Sequence, residues 1–268
     1  MIPNILSIAG SDPSGGAGIQ ADIKAISANG GYAMAALTAL TAQNTQGVTA
    51  VQMLDPGFVA AQIAAVRADI RVDAVKIGML GTAPIIQALG AALAGLSAPI
   101  VLDPVMVAKS GDRLLLAEAV AALRGLLPLA RVITPNLPEA ADLLGLPEAR
   151  NRAEMEAQGR ALLALGPGAV LLKGGHLPGD DCPDLLLGPD GLIWLHGPRH
   201  ATRKTHGTGC TLSSALATFL GHGLPLAQAA ARAKAYVARA IAQADALTVG
   251  QGQGPTHHFH AFFKDTAT

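Results

Sequence analysis

Residues 204–212 combine the side chains and the spacing of an anion-binding turn. Gly207 and Gly209 alternate with threonines, and Cys210 follows them directly. Apolar residues at i, i+3, i+4, i+7 and i+8 from Leu212 onward predict one face of an α-helix, which ends at Gly221. Free amides at a helix start and the helix dipole both favour a bound anion such as phosphate. A turn with only a structural role uses the same glycines, so the other candidate residues must show whether this turn binds an anion.

Charged and amide side chains follow other predicted strands. Asp103 ends the strand 99–103, and Lys173 ends the strand 169–173 beside two glycines. Ligands of parallel α/β sheets gather at the carboxyl ends of strands, so Asp103 is placed for a metal ion or water and Lys173 for a phosphate. Asn136 and Glu139 lie three apart at a strand-to-helix junction, a pairing that suits Mg²⁺. Capping of the next turn or helix is the alternative for Asp103 and for this pair.

Two further stretches could contact a ligand. Residues 10–18 form a glycine-rich loop between the predicted strand 5–9 and a helix, as in the opening of a βαβ unit, but the Gly-Lys-Ser/Thr of a Walker loop is absent. Asp22 lies one turn into that helix, where a solvated carboxylate is the alternative. Residues 41–47 carry several amide and hydroxyl side chains in a predicted loop after the strand 32–40. Such groups can recognise a polar ring, or they form an ordinary polar turn.

Composition excludes several classes of protein. Half of the 268 residues are apolar, aromatic residues make up 3%, and the formal net charge is +0. We therefore expect no nucleic-acid partner and no membrane partner. No apolar run is long enough to span a membrane, and the start lacks the basic residues of a signal peptide. Two cysteines form a poor disulfide framework, so we expect a cytoplasmic protein.

The alternation of predicted strands and helices indicates an α/β fold. Because no linker or repeat interrupts it, we predict a single domain over residues 1–268, a three-layer αβα sandwich with a mostly parallel central sheet. A (β/α)₈ barrel is the alternative, although a predicted β-hairpin around residues 189–191 fits the open sheet better. Residues 109–112 are predicted to form a mobile surface turn that closes over the ligand. The histidines of residues 257–260 could bind a metal ion, but we expect an exposed tail.

These segments together resemble one known family. Its motifs match residues 8–22, 38–45, 75–80, 102–106, 133–139, 172–176, 205–213 and 254–260, in the same order along the whole chain. On them the chain is identified as a member of the hydroxymethylpyrimidine/phosphomethylpyrimidine kinase family of thiamine biosynthesis, in the ribokinase-like superfamily. The resemblance implies an ATP- and Mg²⁺-dependent kinase. Its expected substrate is 4-amino-5-hydroxymethyl-2-methylpyrimidine, whose monophosphate is then phosphorylated to the diphosphate. Dimers are common in the family, so a homodimer is expected.

The resemblance also assigns roles to residues. The pyrimidine would hydrogen-bond to Gln43, in a pocket lined by Gly10, Asp22, Met79 and Val105. ATP and Mg²⁺ would be bound by Asn136, Glu139, Lys173 and the turn that contains Thr205 and Thr208. Asp103, from its place at a strand end, is expected to join Glu139 at the metal ion. Phosphoryl transfer would involve Gly207, Gly209, Cys210 and Lys173. One departure is local: Arg203-Lys204 stands where the family often has Lys-Asn, which leaves the contact geometry near the nucleotide open.

Cys210 occupies the position at which many ribokinase-like sugar kinases carry a catalytic aspartate. Because a thiol pKa falls at a helix N-terminus, Cys210 is expected to be partly ionised and to accept the proton of the alcohol. Packing or substrate positioning is the alternative role. For the whole protein, the alternatives are a pyridoxal kinase on the same scaffold and a non-catalytic binding protein that senses a pyrimidine.

Overall fold

A computed structural model of the chain describes residues 1–106 and 118–263. Within these residues the core is one eight-stranded sheet. The strands of this sheet are β1 (Asn4–Ala9), β2 (Tyr32–Leu37), β5 (Ala74–Ile77), β6 (Ile100–Leu102), β7 (Val132–Ile133), β8 (Val170–Lys173), β9 (Asp184–Gly188) and β10 (Gly191–Leu195). Between β2 and β5 in the chain, β3 (Ala39–Asn44) and β4 (Gly47–Met53) form a separate antiparallel pair.

The strand order of the large sheet is β10-β9-β8-β7-β6-β5-β1-β2. The pairs from β8 to β2 are parallel, whereas β9 runs antiparallel to both of its neighbours. The parallel strands β1, β5, β6 and β8 are almost wholly buried, because helices cover both faces of the sheet. An open sheet with two edges excludes the barrel and confirms the predicted αβα sandwich.

Helices divide the core into two layers. On one face lie α1 (Gly18–Ala28), α7 (Thr208–Gly221) and α8 (Leu226–Ala242). The other face carries α2 (Pro56–Asp69), α3 (Ala83–Leu93), α4 (Ala119–Leu126), α5 (Leu137–Leu144) and α6 (Arg152–Leu163). Alternation along β1 assigns Leu6 and Ile8 to the second layer and Ile5 to the first. None of the helices in the described residues is long and apolar enough to cross a membrane.

Two predictions about local structure are wrong. The polar residues 41–44 belong to strand β3 instead of a loop, because the chain leaves the main sheet at Thr38 and starts a new hairpin. There the Thr38 hydroxyl donates to the carbonyl of Met79. The tail is not exposed: His257 and His258 are buried, and the hydroxyl of Tyr236 donates to the carbonyl of His258 at 2.7 Å.

Two other local predictions concern the β-hairpin and the closing loop. The hairpin is confirmed as β9–β10, with Gly191 at φ 95°, a left-handed value that favours glycine in the turn. The predicted closing loop at residues 109–112 lies outside the described residues.

Candidate active site

A cavity of about 800 Å³ opens at the carboxyl ends of β1, β5, β6, β7 and β8. Parallel strands bring their ends to one edge of the sheet, so side chains far apart in the sequence meet there. The candidate residues that line the cavity are Gly10, Gln43, Met79, Asp103, Val105, Asn136, Glu139, Lys173, Thr205, Gly207, Thr208, Gly209 and Cys210. The structure therefore brings together every predicted site residue except Asp22.

Helix α7 begins at the floor of this cavity. Gly207, the residue before the helix, has φ 76°, and a Cβ atom there would lie 1.8 Å from the carbonyl oxygen of Gly16. Only glycine allows this backbone conformation together with this close approach. The first residues of α7, Thr208, Gly209 and Cys210, line the cavity at the positive end of the helix dipole. This geometry suits a phosphate group.

A network of charged side chains lies next to the start of α7. Nζ of Lys173 is 2.9 Å from Oδ1 of Asp103 and 3.9 Å from Oε2 of Glu139. The hydroxyl of Thr134 donates to the same Asp103 oxygen. Although burial acts to lower the pKa of Lys173, the two carboxylates raise it well above its usual range. Lys173 is thus a fixed cation at the cavity wall. If Gly209 were replaced by a larger residue, the added Cβ would lie 3.3 Å from Nζ of Lys173.

Asn136 and Glu139 form a capping box at the start of α5. The Asn136 side chain accepts from the backbone N–H of Glu139, and the Glu139 carboxylate accepts from the backbone N–H of Asn136, both at 2.8 Å. Burial raises the pKa of Glu139 to about 7, against the opposing effect of Lys173. Asn136 and Glu139 therefore cap α5 and are also available to a ligand, because both residues line the cavity wall.

Cys210 lies in the first turn of α7, half-buried on the cavity wall. Burial raises the pKa of its thiol to about 11, and the nearby carboxylates of Asp22 and Asp103 act in the same direction, whereas Lys76 opposes them. The prediction of a lowered thiol pKa is wrong because loss of hydration and the two carboxylates outweigh the effect of Lys76. At neutral pH Cys210 is a neutral thiol. Both cysteines are free, as expected.

The ring-recognition residues line the same cavity. Gln43 lies on β3, where its amide contacts the Thr41 hydroxyl at 3.2 Å and the imidazole of His206 at 3.4 Å. Met79 and Gly10 touch, since a Cβ at Gly10 would lie 3.0 Å from the Met79 sulfur. A polar amide and an apolar sulfur on the wall of one cavity are suited to one edge and one face of a small heteroaromatic ring.

Asp22 lies behind the cavity wall instead of lining it. Its carboxylate is fully buried and accepts two bonds of 2.8 Å from Lys76, with further bonds from the hydroxyls of Ser7 and Ser214. Such a site satisfies a buried charge completely, so Asp22 is neither a solvated carboxylate nor a pocket residue. The prediction that Asp22 lines the pocket is wrong because its position on α1 faces the sheet and α7.

No role was predicted for Asp12, Lys76 and His206. Asp12 and His206 line the cavity and are joined by a contact of 2.8 Å between Oδ2 and Nε2. Lys76 is buried beneath Gly78, where a Cβ would lie 2.6 Å from its Nζ. A signal did exist for Lys76, because an ionisable residue inside an otherwise apolar strand demands a buried partner.

The local departure at residues 203–204 has a structural explanation. Nζ of Lys204 donates to the carbonyls of Ala244, Asp245 and Leu247, just after α8. Neither Arg203 nor Lys204 lines the cavity. Lys204 therefore anchors the turn to the end of α8.

Comparison with known proteins identifies the family. The model of the family described as phosphomethylpyrimidine kinase matches residues 12–257. The chain belongs to the phosphomethylpyrimidine kinase family. It is 53% identical to a hydroxymethylpyrimidine/phosphomethylpyrimidine kinase from Escherichia coli (strain K12), over 97% of this chain and 98% of the relative. The protein is accordingly a kinase.

Solved structures show the same relationship. A phosphomethylpyrimidine kinase from Clostridium difficile 630 is similar at a TM-score of 0.79, with 44% identity over 89% of this chain and 99% of that chain. An ADP complex of Bacillus subtilis pyridoxal kinase is similar at a TM-score of 0.90, with 36% identity over 98% of this chain and 100% of that chain. The ribokinase-like architecture is thus shared by kinases with different ring substrates.

Proposed function

We propose that this kinase phosphorylates the hydroxymethyl group of 4-amino-5-hydroxymethyl-2-methylpyrimidine with ATP, and then phosphorylates the monophosphate to the diphosphate, in thiamine biosynthesis. The proposal rests mainly on one observation. A single cavity joins the ring-recognition residues Gln43 and Met79 to the start of α7 and to Lys173. This arrangement belongs to a chain that is 53% identical to a kinase named for these two substrates.

The expected reaction is an in-line transfer. The hydroxymethyl oxygen forms a bond to the γ-phosphorus of ATP while the bond from that phosphorus to the β,γ-bridging oxygen breaks, so ADP leaves and the alcohol proton passes to an oxygen of the transferred phosphoryl group. Charge on the transferring group is stabilised by the α7 amides near Gly209 and by Lys173. Thr205 and Thr208 line the same part of the wall and are proposed to contact the nucleotide phosphates.

Mg²⁺ fits the residues present. Magnesium commonly binds one or two carboxylates, with water and substrate phosphates as the other ligands, and Asp103 and Glu139 both line the cavity beside Lys173. Within the described residues no cluster of three or more histidine, cysteine or carboxylate side chains forms a dedicated metal cage. We propose Asp103 and Glu139 as its ligands, with the backbone N–H of Asn136 holding the Glu139 carboxylate in place and Asn136 contacting ATP. The ion would neutralise phosphate charge.

Cys210 is proposed to position the alcohol as a neutral thiol. With its pKa at about 11, less than one molecule in a thousand is ionised at pH 7, which makes a general-base role inefficient. A loose transition state for phosphoryl transfer requires little deprotonation of the alcohol in advance. Gly10 and Val105 are proposed to complete the wall around the ring.

The decisive experiment is product analysis. Purified protein with ATP, Mg²⁺ and the hydroxymethylpyrimidine should yield monophosphate first and diphosphate later, resolved by anion-exchange chromatography. Pyridoxal, offered in parallel, should turn over at least about tenfold more slowly, since it lacks the exocyclic amino group that an amide can recognise. Turnover of pyridoxal alone would favour the second candidate, a pyridoxal kinase, and ring binding without ATP consumption would contradict both. Lys173→Met is the inactive control.

The protein is further proposed to act in the cytoplasm as a homodimer. Support comes from its use of ATP, its two free cysteines and the frequency of dimers among family members. Light scattering on the purified protein should give twice the mass of one chain.

A further inference from the structure

Asp12, His206 and Gln43 form a line of contacts along the cavity wall. Oδ2 of Asp12 lies 2.8 Å from Nε2 of His206, and this ring nitrogen lies 3.4 Å from the terminal nitrogen of Gln43. His206 is 7% exposed and Asp12 2% exposed. The imidazole fits only because residue 16 is glycine: a Cβ there would lie 2.4 Å from the ring. The histidine is therefore fixed in place between a carboxylate and the amide of the ring-recognition residue.

The surroundings of Asp12 determine where the histidine carries its proton. The Asp12 carboxylate accepts from the backbone N–H and the hydroxyl of Ser14 and from the backbone N–H of Ala17. Burial acts to raise its pKa, but these bonds and the bond to His206 lower it below the usual range. An ionised carboxylate is only an acceptor. Nε2 of His206 must therefore donate to Asp12.

The two neighbours of the Gln43 amide determine which way it faces. Because the protonated Nε2 of His206 has no free lone pair, it cannot accept from the amide nitrogen of Gln43, so the Gln43 atom facing it at 3.4 Å is the carbonyl oxygen. On its other side Gln43 faces the Thr41 hydroxyl, whose one proton is donated to the carbonyl of Ser11 at 2.9 Å. That hydroxyl can only accept a further bond, so it requires the amide nitrogen. Both neighbours therefore select the same orientation.

We propose that the Asp12–His206 pair is a positioning element that holds the Gln43 amide with its oxygen toward His206 and its nitrogen toward Thr41. An amide fixed in this way offers one acceptor and one donor side by side. It selects a ring edge on which an exocyclic amino group adjoins an unprotonated ring nitrogen, with the amino group on the His206 side. The inference rests on the proposed function, because it explains how the aminopyrimidine would be chosen over other hydroxymethyl rings.

The test compares two ring ligands. Calorimetry without ATP measures the dissociation constants of the hydroxymethylpyrimidine and of its analogue lacking the 4-amino group, and their ratio reports recognition of that group. We expect a ratio of about 10 or more in the wild type. His206→Leu, which removes the donor, should bring the ratio to about 2. His206→Gln, which keeps an N–H at a similar reach, should restore most of it. The KM for ATP should change less than twofold in both variants.

A double-mutant cycle separates positioning from mere packing. Gln43→Ala should abolish the preference for the amino group, and adding His206→Leu to that variant should lower the ratio no further. A ratio that stays at its wild-type value in His206→Leu, while both ligands bind equally more weakly, would overturn the inference. Additive effects of His206→Leu and Gln43→Ala on the ratio would also overturn it. A wild type that phosphorylates neither ring contradicts the proposed function instead, which keeps the two failures distinct.

A measurement on the wild type avoids any effect of the variants on folding. In protein labelled with ¹⁵N-histidine, long-range proton–nitrogen correlation distinguishes a protonated from an unprotonated Nε2, and the spectrum of His206→Gln assigns the signal. A protonated Nε2 at pH 7 is expected. An unprotonated Nε2 would remove the reason for the proposed orientation of Gln43 and overturn the inference.

Discussion

At the residue scale, the protonation state of Cys210 separates two roles for the thiol. A side chain that is a base must be ionised in a useful fraction of molecules, whereas one that positions the alcohol need not be. Burial beside Asp22 and Asp103 keeps this thiol neutral. The sequence motif, a cysteine at a helix start, favours the opposite state, and only the packing around α7 decides between them.

Cys210→Ala should therefore lower kcat by less than about 100-fold, below the range typical of a lost general base. In a Cys182→Ala background, where Cys210 is the sole cysteine, alkylation by iodoacetamide should accelerate about tenfold per pH unit from pH 7 to 9.5, because the folded pKa is about 11. Mass spectrometry of the modified peptide gives the rate. A plateau near pH 8 would show an ionised thiol and restore the base assignment.

The buried pair of Asp22 and Lys76 is the second residue-scale feature with a measurable consequence. Lys76→Met leaves an uncompensated carboxylate with no exposure, and it should lower the free energy of unfolding by about 3–5 kcal/mol in urea titrations. The matched control is Arg71→Met, which breaks an exposed pair with Asp73 and should cost less than about 1 kcal/mol. Equal losses in the two variants would contradict this account of the buried pair.

At the element scale, the approach of the glycine-rich loop to the start of α7 depends on Gly207. Gly207→Ala places a Cβ against the Gly16 carbonyl in a left-handed backbone, so the turn must shift. We expect kcat/KM to fall by more than about 100-fold, because displaced amides no longer face the phosphoryl group. Gly145→Ala is the control: its φ is also positive, at 68°, but no atom of the described residues lies within 4 Å of the added Cβ. It should cost about 1 kcal/mol of stability and leave turnover unchanged.

Several elements meet through the tail after α8. The N–H of His206 donates to the carbonyl of Gly254, and the hydroxyl of Thr211 contacts Nε2 of His258 at 3.0 Å. That hydroxyl also donates to the carbonyl of Gly207, so His258 must donate to it through Nε2. The tail therefore fastens the anion-binding turn from behind, which explains why its histidines are buried instead of exposed.

At the scale of the whole molecule, His258 links stability to pH. Burial lowers its pKa to about 3, and Lys24 and the neighbouring histidines act in the same direction. The unfolded chain then binds a proton below about pH 6.5 that the folded chain does not. Stability contributed by the neutral histidine is complete above pH 6.5 and falls as the pH falls. From pH 7 to pH 5 the loss attributable to His258 should be about 2 kcal/mol.

Urea titrations at pH 7 and pH 5 test this linkage. His258→Gln keeps an N–H donor toward Thr211 but cannot titrate. The difference in the free energy of unfolding between pH 7 and pH 5 should therefore be smaller than in the wild type by about 2 kcal/mol. If the variant keeps the full wild-type difference, the loss of stability arises from other groups.

The fold follows from the sequence to a large extent. Apolar runs that end in polar residues, separated by segments with helical spacing, predict a parallel sheet covered on both faces, and the sheet is present. The site is predictable in part for the same reason: Asp103 and Lys173 end parallel strands, and parallel strands end at one edge. Local motifs therefore predict which residues gather at the cavity.

Tertiary structure alone decided protonation and orientation. The thiol pKa, the concealment of Asp22 and the contact of Asp12 with His206, which lie 194 residues apart, depend on which groups pack together. Hydration and Coulomb effects depend on distances of a few ångströms in the folded protein and not on the separation of residues in the sequence. The turn at residues 204–212 was recognisable as an anion site from its glycines. What its cysteine and histidine can do was determined only by their neighbours in the folded molecule.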